Sequence, residues 1–114
     1  MGLRAALTEM QADRSTEAVV RDVLAFLFQH PRERFTSVEV ARRVARPYAQ
    51  VEPILLTLGR CFVLDFQSAD PPSFSYVPQA LLDLDVERYL RRVGTIEERL
   101  QNNVARFRQR HETY

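Results

Sequence analysis

Apolar residues recur at helical spacing in several stretches of this chain and alternate in two short ones. Leu3, Ala6, Leu7 and Met10 share one face of a helix over residues 3 to 10. A helix this short is marginal alone and must dock, either on its own domain or on a partner subunit. Ser15 is expected to cap a second helix, with Glu17 in its first turn. Val19, Val20, Val23, Leu24, Phe26, Leu27 and Phe28 follow, with Arg21 and Asp22 as the charges in the middle. This is the most apolar helix in the chain and the predicted central wall of the core. Pro31 ends it, and His30 beside that end reads as a terminus residue in favourable contact with the helix dipole.

The stretch from Phe35 to Phe66 organises the rest. Phe35 and Thr36 predict a short extended entry, Thr36 or Ser37 caps a helix, and Glu39 completes a capping arrangement. Val40, Ala41 and Val44 line one face of that helix. Val51, Ile54, Leu55 and Leu58 line the next at i, i+3, i+4, i+7. Only Ala45, Arg46 and Pro47 separate the two, which forces a sharp corner and predicts a helix-turn-helix. Gly59 is expected to end the second helix in left-handed geometry. Phe62, Leu64 and Phe66 then alternate with Val63 and Asp65, predicting a half-buried strand. Residues 68 to 73 make a turn cluster, and Phe74 and Tyr76 predict a return strand that Pro78 ends.

The run from Ala41 to Leu58, ARRVARPYAQVEPILLTL, resembles the helix-turn-helix of winged-helix transcription regulators. The wider order of helix, short strand, two helices, hairpin and long last helix is similar to the PadR and MarR group of bacterial regulators. The fold this implies is mostly α with a small β-hairpin wing. It would be a winged helix-turn-helix over residues 15–79, preceded by an amphipathic helix in 1–14 and followed by a long C-terminal dimerisation helix in 80–114. The function it implies is DNA binding in transcription regulation.

From Leu81 onward the period changes. Asp83 or Asp85 is placed to cap a helix running to about Arg110. Val86, Val93, Leu100 and Phe107 recur every seven residues, with Tyr89, Ile96, Asn103 and Arg110 three further on; Leu90 and Val104 widen the seam. A helix of this length spans about 40 Å, longer than the compact domain beside it. Its outer half therefore predicts a homodimer, coiled-coil-like, with Asn103 fixing register. An alternative keeps the first half on its own domain and pairs only the second.

Composition narrows the chemistry. The chain has 114 residues and a net charge of +1, so no bulk electrostatic attraction to nucleic acid is expected. All sixteen basic residues are Arg. A single cysteine, Cys61, reads as a small buried hydrophobe and fits a reducing cytosol. No apolar run approaches the length of a membrane span, and the start lacks a signal-peptide core, so a cytoplasmic location is expected. His30, Cys61 and His111 stand far apart, so no metal centre or cofactor site is expected. The three glycines make no phosphate loop, and no nucleophile–base constellation suggests an enzyme.

Two function classes follow. Residues 32 to 60 hold six Arg against three Glu. Double-stranded DNA is one expected partner: Arg42, Arg43 and Arg46 would grip phosphates, Arg60 adds to the local positive charge, and Tyr48, Gln50 and Thr57 offer polar groups, Gln50 pairing with adenine. The alternative is an interaction module without DNA binding, because the outward stripe of the same helix holds Ala49, Glu52, Pro53, Leu56 and Arg60, with Leu56 an exposed hydrophobe and Glu52 repelling phosphate. A protein partner would then dock at Pro53 and Leu56, and the hairpin tip with Asp70 and two prolines adds no cation.

Overall fold

A computed structural model of the chain describes residues 2–10 and 14–93. They form a mostly helical fold with one small antiparallel sheet. In order these are α1 (Leu3–Met10), α2 (Arg14–Gln29), β1 (Arg34–Thr36), α3 (Ser37–Val44), α4 (Tyr48–Arg60), β2 (Asp65–Gln67) and β3 (Ser73–Ser75). A last helix, α5, occupies residues 80–93.

α4 lies at the centre, packed against α1, α2 and α3. Its Val51, Ile54, Leu55 and Leu58 are buried with Val19, Val20, Val23, Leu24 and Leu27 of α2 and with Val40 of α3. Each such side chain contributes about 1.5–3 kcal/mol on leaving water. α1 docks on its own chain, burying Leu3 and Ala6, while the Gly2 N–H donates to the Cys61 carbonyl at 2.9 Å. α2 includes Arg14, so Ser15 lies inside the first turn rather than capping it.

Thr36 caps α3 as its sequence predicts. Its hydroxyl accepts from the Glu39 N–H at 3.3 Å, and the Glu39 carboxylate accepts from the Thr36 N–H at 3.0 Å. Those bonds, the backbone one foremost, hold the Glu39 carboxyl below its ordinary range. α3 and α4 end alike. After α3, Ala45 is left-handed at φ 56°, its N–H reaching the Arg42 carbonyl and that of Arg46 the Ala41 carbonyl. After α4, Phe62 is left-handed at φ 62°, its N–H reaching Gly59 and that of Val63 reaching Leu58. These are Schellman closures with a side chain where glycine is usual.

Gly59 is therefore not the left-handed residue; it lies within α4. A Cβ there would sit 3.3 Å from Phe66 Cβ, so its role is to let β2 approach. The predicted strand from Phe62 shortens to Asp65–Gln67 for the same reason. The closing turn consumes Phe62, Val63 and Leu64, leaving Phe62 69% exposed and the other two buried.

The sheet order is β1–β3–β2, and its register sets Phe35, Phe74 and Phe66 in one cross-strand row. Phe74 is buried, with the Phe66 ring 5.4 Å away and the Phe35 ring 4.9 Å from Phe26. Arg34 spans the sheet: Nη1 donates to Asp65 Oδ2 at 2.7 Å and Nε to Ser73 Oγ at 3.0 Å.

Beyond β3 the Tyr76 hydroxyl donates to Asp83. α5 begins at residue 80, before either Asp83 or Asp85 could cap it. Val86 and Tyr89 are buried in the chain's own core, with Leu82, Leu90 and Val93 packed against it. The first turns of the expected pairing seam thus face inward, because the core beneath α5 is open to them. Ile96, Leu100, Asn103, Val104 and Phe107 lie outside the described residues.

Candidate functional site

The short α3–α4 turn sets the last turn of α3 beside the first turn of α4. Arg42 and Arg43 are exposed there, and the Arg43 guanidinium stands 5.4 Å over the Phe26 ring. Tyr48 is 49% exposed and Gln50 is open to solvent on the first turn of α4. All four sit on the two helix ends that flank the turn, Arg43 toward Phe26 of α2 and Gln50 beside the first turns of α2.

The other three expected contacts are placed differently. Arg46 turns back to α2, with Nη2 2.9 Å and Nε 3.0 Å from Asp22 Oδ2. Asp22 also holds Arg21 at 2.9 Å. Thr57 is buried at 7% exposure, since the outward stripe of α4 runs through Pro53 and Leu56 instead; its hydroxyl accepts from Arg60 Nη2 at 3.1 Å. Arg60 in turn lies 2.6 Å from Glu9 of α1. Two of the expected cations are thus neutralised by neighbouring carboxylates.

The outward side of α4 presents Ala49, Pro53 and Leu56. Pro53 also withholds the N–H that would bond the Ala49 carbonyl in a regular helix. Glu52 is half-buried, and its Oε2 has no hydrogen-bond partner among the described residues. Beside this face α4 and β2 enclose a cleft of about 400 Å³ lined by Pro53, Leu56, Thr57, Gly59, Arg60 and Phe66. Its exposed hydrophobes are Leu56 at 38% and Phe66 at 42%. Sequence reasoning singled out Pro53 and Leu56 but not Phe66. The signal for Phe66 was available in Gly59, the one residue small enough to let a strand close over α4. A second cleft of about 350 Å³ opens between Gln50, Pro53 and Ile54 of α4 and the first turns of α2.

Cys61 is buried where α1 meets the end of α4, with Sγ 3.5 Å from Glu9 Oε2. Burial foremost, then Glu9, pushes its thiol above the ordinary value. His30 packs on Phe26 with ring centroids 4.8 Å apart and lies 3.4 Å from Glu33. Among the described residues no three His, Cys, Asp or Glu side chains could share a metal ion. No described helix is long and apolar enough to cross a membrane.

No protein-family model matches this chain, and no curated protein matches it significantly.

Proposed function

We propose that the chain is a winged helix-turn-helix protein that contacts double-stranded DNA through the α3–α4 corner. The observation that supports this reading most is the exposure of Arg42, Arg43, Tyr48 and Gln50 on the helix ends that flank the α3–α4 turn. The element order and the β1–β3–β2 sheet suit a winged helix, with α4 as the helix offered to the major groove. Arg42 and Arg43 take phosphates, and Tyr48 and Gln50 reach base edges. With Arg46 and Arg60 already paired, binding is modest and its salt dependence shallow. The apolar repeat that continues in the sequence beyond Val93 is the proposed seam for a second copy.

A gel shift on random-sequence duplex at low salt tests this. The wild-type chain is expected to shift the duplex, and Arg42→Ala/Arg43→Ala to abolish the shift while light scattering still reports a dimer. An unchanged shift would remove the phosphate contacts.

The α4–β2 cleft favours a second reading, a protein-docking module that has given up DNA. Pro53, Leu56 and Phe66 make an apolar surface that phosphate backbone cannot use. The two readings part on one outcome: absence of any duplex shift at low salt leaves the docking reading alone.

A further inference from the structure

A different cleft lies on the far helices, between α1 and α5. It encloses about 400 Å³, within the range of small-molecule sites, and is lined by Leu3, Arg4, Leu7, Asp85, Arg88, Tyr89 and Arg92. Three of those residues are arginines. Arg4 comes from the first turn of α1, and Arg88 and Arg92 stand four apart on α5. Arg4 and Arg88 have no ion pair among the described residues, and Arg92 lies 5.8 Å from the centroid of the Tyr89 ring. Asp85 is the one acid in the lining.

Folding does not call for this arrangement. Like charges at i, i+4 on a helix are mutually destabilising by a few tenths of a kcal/mol, roughly, and a third cation from another helix adds to the repulsion. The floor is of opposite character: Leu3 and Tyr89 are buried, and Leu7 packs on the core. The Tyr89 hydroxyl is buried and has no hydrogen-bond partner among the described residues, an arrangement native interiors seldom leave in place. A cationic rim over an apolar floor suits an anion attached to an apolar body.

Charge decides which anion. Three guanidiniums against one carboxylate leave two positive charges, and a phosphate monoester carries about −1.5 to −2 near neutral pH. A carboxylate ligand would leave a cation uncompensated. Planar guanidinium forks also match phosphate oxygens two at a time. We propose that the α1–α5 cleft binds a phosphate monoester carried on an apolar body, with Arg4, Arg88 and Arg92 on the phosphate and Leu3, Leu7 and the Tyr89 ring beneath the body. This site is separate from the α3–α4 corner and does not depend on the DNA reading.

Calorimetric titration of the full chain tests it with three probes. Phenyl phosphate has both halves, inorganic phosphate lacks the apolar body, and benzoate lacks the second charge. Saturable binding of phenyl phosphate is expected, at least tenfold tighter than either of the others. Arg88→Gln/Arg92→Gln should weaken it by more than tenfold while the unliganded melting temperature holds, since neither side chain is buried. Arg42→Gln/Arg43→Gln, which removes the same charge elsewhere, should leave it unchanged. No saturable binding of phenyl phosphate overturns the proposal. So does inorganic phosphate or benzoate binding equally well, or an equal loss in the two double variants.

Discussion

Arg46, in the turn between α3 and α4, holds its guanidinium 2.9 Å from the Asp22 carboxylate in the middle of α2. The pair locks the corner onto the central helix and also withdraws a cation from the surface proposed to meet DNA. Both side chains are about one-third exposed or less, so the pair is screened and worth on the order of 1 kcal/mol.

Asp22→Asn therefore separates stability from affinity. The variant is expected to unfold at lower urea by about 1 kcal/mol, yet to bind duplex more tightly with a steeper salt slope, by about one unit if Arg46 reaches a phosphate. Urea melts and a salt series of gel shifts measure the two. Weaker binding in the variant would mean that Arg46 serves DNA only as Asp22 positions it.

Ala45 and Phe62 occupy left-handed backbone that disfavours a side chain by roughly 1–2 kcal/mol, against which glycine loses about 0.5–1 kcal/mol of chain entropy. Ala45→Gly and Phe62→Gly should each stabilise the fold by about 0.5–1 kcal/mol. Phe62 is mostly exposed, so little burial is lost with its ring. The readout is a higher urea midpoint with unchanged slope.

Alkaline pH should loosen the fold through two phenols. Tyr76 is pushed above its ordinary value of 10.0 by burial and then by Asp83. Tyr89 is pushed up to about 12 by burial and then by the Glu17 charge. The unfolded phenols ionise near pH 10 while the folded ones keep their protons. The stability that the two phenols contribute is therefore complete below about pH 10 and is lost as pH rises beyond it. Urea midpoints taken from pH 8 to 11.5 should fall in that upper window, and Tyr76→Phe should flatten the fall.

Cys61 should resist thiol reagents in the native protein. Burial and Glu9 both disfavour its thiolate, the reacting form. At pH 8 a disulfide reagent is expected to label it far more slowly than in urea-unfolded chain. Equal rates would mean that α1 leaves its place readily.

Local signals were legible where short-range physics decides them. Thr36 and Glu39 announced the capping box, and the spacing of Val51, Ile54, Leu55 and Leu58 announced the buried face of α4. What escaped were choices made by tertiary contacts. Nothing in the neighbours of Thr57 says that Arg60 will lie over it, because that guanidinium is also held by Glu9, far upstream in α1. The heptad spacing of Val86 and Tyr89 fits a two-chain seam and a single-chain core equally well; in the fold both join the chain's own core. Arg34 is one of the six Arg between residues 32 and 60, and nothing beside it in the sequence says that Asp65 and Ser73 lie across the sheet from it.

The burial of Val86 and Tyr89 sets how much of this polypeptide must travel together. A piece trimmed to residues 15–79 would lose Val86 and Tyr89 from its own interior, along with Leu3 and Ala6 of the neighbouring α1. A gene fusion or duplication that carries this head intact has to bring α1 and the first four turns of α5 with it. The residues that share this core reach from Leu3 in α1 to Tyr89 in α5, wider at both ends than the α3–α4 pair at its centre.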